Sequence, residues 1–167
     1  MQDRRFQWFF YLAAVATLTL AAALVWLDQQ LVTPASPQGI ISLELAGTPD
    51  KARLIIDSWG LDGLHYAVWS LLLDFPFLIS YVVLFVCLTR LIDSPVKNLL
   101  IGGFVLAGLC DLIENLALLQ LLSGKLSITY TQTAFWCASV KFGLLVFGWG
   151  YLLICGVYGL YRRFSQR

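Results

Sequence analysis

The sequence predicts an all-α membrane protein: a four-transmembrane-helix bundle with a short amphipathic outer-interface helix between spans 1 and 2. Three observations carry this. The mean hydropathy is +0.78. Hydrophobic residues make up 59% of the chain and charged residues only 13%. The apolar residues gather into four stretches, about 8–26, 66–89, 99–122 and 134–158. Each approaches or exceeds the roughly 20 residues needed to cross a hydrocarbon core about 30 Å thick. The 167 residues suit one transmembrane domain, 1–167, with an outer loop over about 29–65. A net charge of +1 gives no electrostatic reason for nucleic-acid binding.

Span 1 follows Arg4 and Arg5 and is Ala-rich, as a signal peptide would be. Its apolar stretch outruns the usual h-region of about 7–15 residues and opens on Trp8-Phe9-Phe10-Tyr11, so we expect a retained span. Orientation follows from the basic residues. Arg4, Arg5, Arg90, Lys97, Arg162, Arg163 and Arg167 fall on one side, and Lys51, Arg53 and Lys125 on the other. This asymmetry places both termini in the cytoplasm, in a multi-pass protein of the inner cell membrane, with the loop after span 1 outside.

That loop has local order. Ile41-Ser42-Leu43-Glu44-Leu45 alternates apolar and polar, which predicts a short strand or extended segment ending at Gly47. Thr48-Pro49-Asp50 is a helix start, and Ala52, Ile55, Ile56 and Trp59 recur with helical spacing up to Gly60. The segment is too short to span. It is expected to lie in the outer interface with Trp59 pointing down, or to pack on the top of the bundle, and in either place it could cap a site beneath.

Four ionisable residues lie inside the apolar spans: Asp74, Asp111, Glu114 and Lys141. A charge near mid-bilayer is costly and persists when it is paired, lines a wet cavity or does a job. At a rise of 1.5 Å per residue, Asp74 lies roughly 12 Å below the outer edge, Asp111 and Glu114 roughly 12–16 Å and Lys141 roughly 10 Å. Three spans thus place their charges in one outer-half slab. Asp111, Glu114 and Asn115 share one face of span 3, which Ala107 and Gly108 continue. Ser70 and Tyr81 flank Asp74 on span 2, and Lys141 sits among Ala134, Cys137, Ala138 and Gly148 on span 4. Small residues allow close helix approach, so these stripes are where the bundle should pack. Pro76 removes the N–H that would bond the Leu72 carbonyl, and a kink there would open span 2 at the site.

Asp74-Phe75-Pro76 with Tyr81, Asp111-x-x-Glu114-Asn115 and an intramembrane Lys141 together resemble a group of four-span prokaryotic membrane proteins without an assigned activity. The resemblance covers most of the chain. It implies the four-span topology and a shared polar site, and it carries no reaction.

The remaining chemistry is sparse. Cys87, Cys110, Cys137 and Cys155 all fall within spans without a C-x-x-C, and read as small apolar packers with no close pair of the kind a disulfide relay uses. His65 is the only histidine and reads as an interfacial anchor. No metal or cofactor site is expected. Three acids against one base leave two carboxylates in surplus, so a proton, a small cation or an amine or lipid-like ligand is expected at Asp74, Tyr81, Asp111, Glu114, Asn115 and Lys141. Two other readings stay open. One is a membrane enzyme acting on a lipid-like substrate, with Asp111 or Glu114 as general acid and Lys141 holding a second carboxylate ionised. The other is an accessory subunit whose polar cluster only fixes helix packing. Membrane lipid is the expected partner, and a homodimer or larger membrane complex the expected assembly.

Overall fold

A computed structural model describes the backbone of residues 2–92 and 94–165, and the side chains of 4, 6–92 and 94–158. The described residues form five helices: α1 (Gln2–Gln29), α2 (Ile40–Glu44), α3 (Pro49–Leu91), α4 (Lys97–Leu122) and α5 (Ile128–Ser165). All but α2 are long and apolar enough to cross a membrane. Among the described residues no strand forms; Thr33 and Ser36 pair only in an isolated antiparallel bridge.

Cross-helix contacts set an up-and-down topology. Thr17 donates to Ser80 at 3.0 Å and Trp26 meets Tyr66 edge-on, so α1 runs antiparallel to α3. Phe85 stacks on Phe104 at one end while Asp74 meets Asn115 nearer the other, so α3 and α4 are antiparallel. Lys141 of α5 reaches back to Glu114 of α4. The principal packing is α1 on α3, α3 on α4 and α4 on α5. One end of the bundle carries α2 and the α4–α5 turn; the other carries the start of α1, the end of α5 and the α3–α4 turn. Lys51, Arg53 and Lys125 belong to the first end, and Arg4, Arg90 and Lys97 to the second. The side chains of Arg5, Arg162, Arg163 and Arg167, which also bear on orientation, lie outside the described residues.

Small residues sit at the contacts. Ala107, Ala134 and Ala138 are fully buried. A methyl group at Gly108 would overlap Val82, and one at Gly148 would overlap the Phe104 ring. In a bilayer, where no solvent-driven force acts between helices, such close approach would supply much of the packing energy.

Two of the sequence expectations need correction around α2. The segment read as extended is helical over Ile40–Glu44. Five residues are too few for a period-2 pattern to decide, and tertiary contacts win. Gly39, at φ 55°, turns the chain into this helix, and the Asp28 carboxylate of α1 accepts the Ile40 N–H at 2.6 Å. Further on, α3 keeps helical dihedral angles through Pro76, and its break falls at Gly60 (φ 63°, ψ −167°), where the amphipathic segment was expected to end. The helix therefore stays continuous beside Asp74.

The Pro49–Trp59 segment packs on the bundle. Thr48 caps it through Lys51 N–H, and Ala52, Ile55 and Trp59 are buried. The Trp59 indole donates to the Leu31 carbonyl at 2.8 Å. These residues join Leu31, Leu43, Ala67, Leu71, Leu118 and Leu121 in one apolar layer. A second layer, Tyr81, Phe85 and Phe104, lies toward the opposite end.

Candidate functional site: a carboxylate cluster between two apolar layers

The polar residues of α3 and α4 occupy the register positions between those two layers. On α4, Phe104 belongs to one layer and Leu118 and Leu121 to the other, with Asp111, Glu114 and Asn115 between. On α3, Leu71 and Tyr81 bracket Asp74 in the same way. Local helix geometry accounts for the convergence: residues three and four apart on α4 face one side.

Lys141 is the hub. Its Nζ donates to Asp111 Oδ1 and Glu114 Oε1, both at 2.9 Å, and stands 3.8 Å from Glu44 Oε2. It also lies 4.8 Å from the centre of the Phe142 ring, a further contact suited to a cation. The Tyr81 hydroxyl donates to Asp111 Oδ2 at 2.9 Å, so both oxygens of Asp111 are satisfied. The Asn115 amide donates to Asp74 Oδ2 at 2.5 Å. The six residues singled out from the sequence thus form two neighbouring hydrogen-bonded groups, Lys141 with Asp111, Glu114 and Tyr81, and Asp74 with Asn115.

Glu44 is the addition that sequence reasoning missed. Its neighbours alternate apolar and polar, which predicts a short strand or extended segment in the outer loop. In the structure it is 7% exposed, at the last position of α2, against Lys141. A signal was present: Glu44 sits within Ile40-Ile41-Ser42-Leu43-Glu44-Leu45-Ala46, a run apolar enough to be buried as a piece. Leu43 and Ala46 are indeed buried beside it.

The electrostatics do not balance. Glu44, Asp74, Asp111 and Glu114 are four carboxyls, and Lys141 is the single cation among them. One oxygen of Glu44, Oε2, and one of Glu114, Oε2, are buried with no hydrogen-bond donor. The Glu114 side chain is close enough to Glu44 for a hydrogen bond when one of the two carries a proton. Burial pushes the Glu44 carboxyl above its ordinary value of 4.5, and the nearby Lys141 opposes that rise.

A cavity of about 180 Å³ reaches this cluster from the side of α1 and α2. Glu44, Asp74, Ser70 and Asn115 line it, as does Asp28. The cavity lies neither at Pro76, where a kink was expected to open span 2, nor beneath the Pro49–Trp59 segment. Pro76 is exposed and is not part of its wall, and the element over the cluster is α2. The reason is the buried α2, which the extended reading had left outside.

Among the described residues, no three His, Cys, Asp or Glu side chains converge as donors for a metal ion. His65 is exposed. All four cysteines are free, but Cys110 and Cys137 meet across α4 and α5 closely enough for their side chains to hydrogen-bond, one turn from Glu114 and Lys141 respectively. No protein-family model, no curated protein and no solved structure matches the chain.

Proposed function

We propose that this is a multi-pass protein of the inner cell membrane, with cytoplasmic termini, whose buried carboxylate–lysine cluster in the outer half of the bilayer binds positive charge: a proton or a cationic group. One observation carries the reading. Two buried carboxylate oxygens, Glu44 Oε2 and Glu114 Oε2, have no donor, in a cluster of four acids and one base. Desolvating an anion without a partner is costly, so the deficit is met by something the protein takes up.

A purely structural clasp accounts for less. Lys141, Asp111, Glu114 and Tyr81 would suffice to lock α3, α4 and α5 together. Such a clasp gives no reason to bury Glu44 as well, and none for a cavity that ends on Asp74 and Glu44.

Glu114→Gln tests the proposal in purified protein. It keeps the shape and removes one negative charge. The proposal expects the variant to fold and to lose much of the dependence of its melting temperature on pH and on added cations. A clasp expects the variant to be as stable as the parent or more so, with pH and cation responses unchanged, and that result would end the proposal.

A further inference from the structure

Resting on that reading, we infer that the cavity between α1, α2 and α3 takes a primary ammonium group carried on an apolar tail. The argument starts from charge. Asp28, Glu44 and Asp74 contribute three carboxyls to the wall, and no Lys, Arg or His lines it. Lys141 reaches the cluster from α5 and leaves Glu44 Oε2 without a hydrogen bond. The Glu44 side chain is 9% exposed, and this oxygen, which lacks a hydrogen bond and stands 3.8 Å from Lys141 Nζ, belongs to a built, desolvated site.

The rest of the wall selects the ligand. Leu24 and Val25 of α1, Ile40 and Ile41 of α2, and Leu71 of α3 are apolar. Val25 is 59% exposed on the outer surface of α1, so the apolar wall continues onto the face that lipid would cover. No aromatic ring lines the cavity. A quaternary ammonium is recognised chiefly by aromatic cages and cannot donate a hydrogen bond, whereas a primary ammonium brings three donors to a wall of three carboxyls, of which Asp28 and Asp74 each accept from the protein and Glu44 Oε2 has no hydrogen bond. An inorganic cation would leave the apolar wall unused. At 180 Å³ the space is well below the roughly 300–1,000 Å³ of drug-sized sites, so it holds a headgroup while the tail stays in the lipid-facing groove.

The full chain in a neutral detergent at pH 7 supplies the test, with melting temperature as the readout. Decylamine should raise it saturably, and decyltrimethylammonium and decanol should not. Glu44→Gln and Asp74→Asn should each weaken the decylamine response at least tenfold in apparent affinity; using both guards against one variant folding poorly. Two sources of the amine are separated by reconstitution. Greater stability in phosphatidylethanolamine nanodiscs than in phosphatidylcholine nanodiscs assigns a lipid headgroup; equal stability, with the decylamine response intact, assigns a free amphiphilic amine. If decylamine acts no differently from decyltrimethylammonium or decanol, or acts equally on both variants, the inference is wrong. Should the pH dependence of Glu114→Gln still differ from that of the parent, the broader reading survives that failure.

Discussion

Lys141 is the cation toward which Glu44, Asp111 and Glu114 are turned, and its loss should be the most damaging single change in the cluster. Lys141→Met leaves buried carboxylates without their partner, a defect that typically costs about 3–5 kcal/mol. Pairing it with Glu114→Gln should recover part of that loss, because one stranded charge is removed. Chemical denaturation or thermal melting of the single and double variants in detergent measures this; a single variant as stable as the parent would mean that Lys141 is not paired. Glu44 carries a second prediction. Its carboxyl holds a proton more tightly in the folded protein than its ordinary value of 4.5. Above that pH the native state binds more protons than the unfolded chain, so this group makes stability fall as pH rises through the window up to its folded value. The groups that face it are Asp28 from α1, Asp74 from α3, Asp111 and Glu114 from α4 and Lys141 from α5. Glu44→Gln cannot titrate there, so its melting temperature should gain on that of the parent as pH increases. Parallel curves for the two proteins would place Glu44 in water.

At the scale of elements, α2 decides whether the cluster is closed, and Gly39 decides where α2 sits. Gly39 (φ 55°, ψ −131°) and Gly60 (φ 63°, ψ −167°) both adopt positive φ with extended ψ, a conformation that costs another residue about 1–3 kcal/mol. A methyl group at Gly60 meets nothing, while one at Gly39 would collide with the Asp28 carboxylate that holds the Ile40 N–H. Gly39→Ala should therefore destabilise more than Gly60→Ala and should also flatten the Glu44-dependent pH response, because α2 is displaced. Equal losses in melting temperature would contradict the role given to α2. These elements also mark how far the sequence could be read. The four long helices were legible because length and apolar content suffice for a membrane span, and the start at Thr48-Pro49 and the break at Gly60 because caps and glycine act locally. The charged faces of α3, α4 and α5 were legible because helical periodicity and common depth are arithmetic. Glu44 was not, since its burial depends on a five-residue helix held by Asp28 and Leu31 from another part of the chain.

Over the whole molecule, the polar layer is sealed between an apolar layer of Leu31, Ile55, Trp59 and Leu118 and another of Tyr81, Phe85 and Phe104. That arrangement makes the route along α1 and α2 the access to the acids. The orientation can be checked in cells. With the four native cysteines replaced, Gln38→Cys in the α1–α2 turn should react with a membrane-impermeant maleimide, and Asn98→Cys at the start of α4 should react only after the cells are opened; the reverse pattern would invert the topology. The central claim is that Glu44 and Glu114 face each other in a charge-deficient site beside Lys141, and that the protein fills this deficit. A density map of the full chain in lipid nanodiscs near neutral pH tests it most directly. The account predicts Glu44 turned inward, with either a non-protein group in contact with it or its carboxyl within hydrogen-bond distance of Glu114, as a shared proton requires. A map with Glu44 swung out into solvent, and Lys141 closed on Asp111 and Glu114 alone, would contradict it.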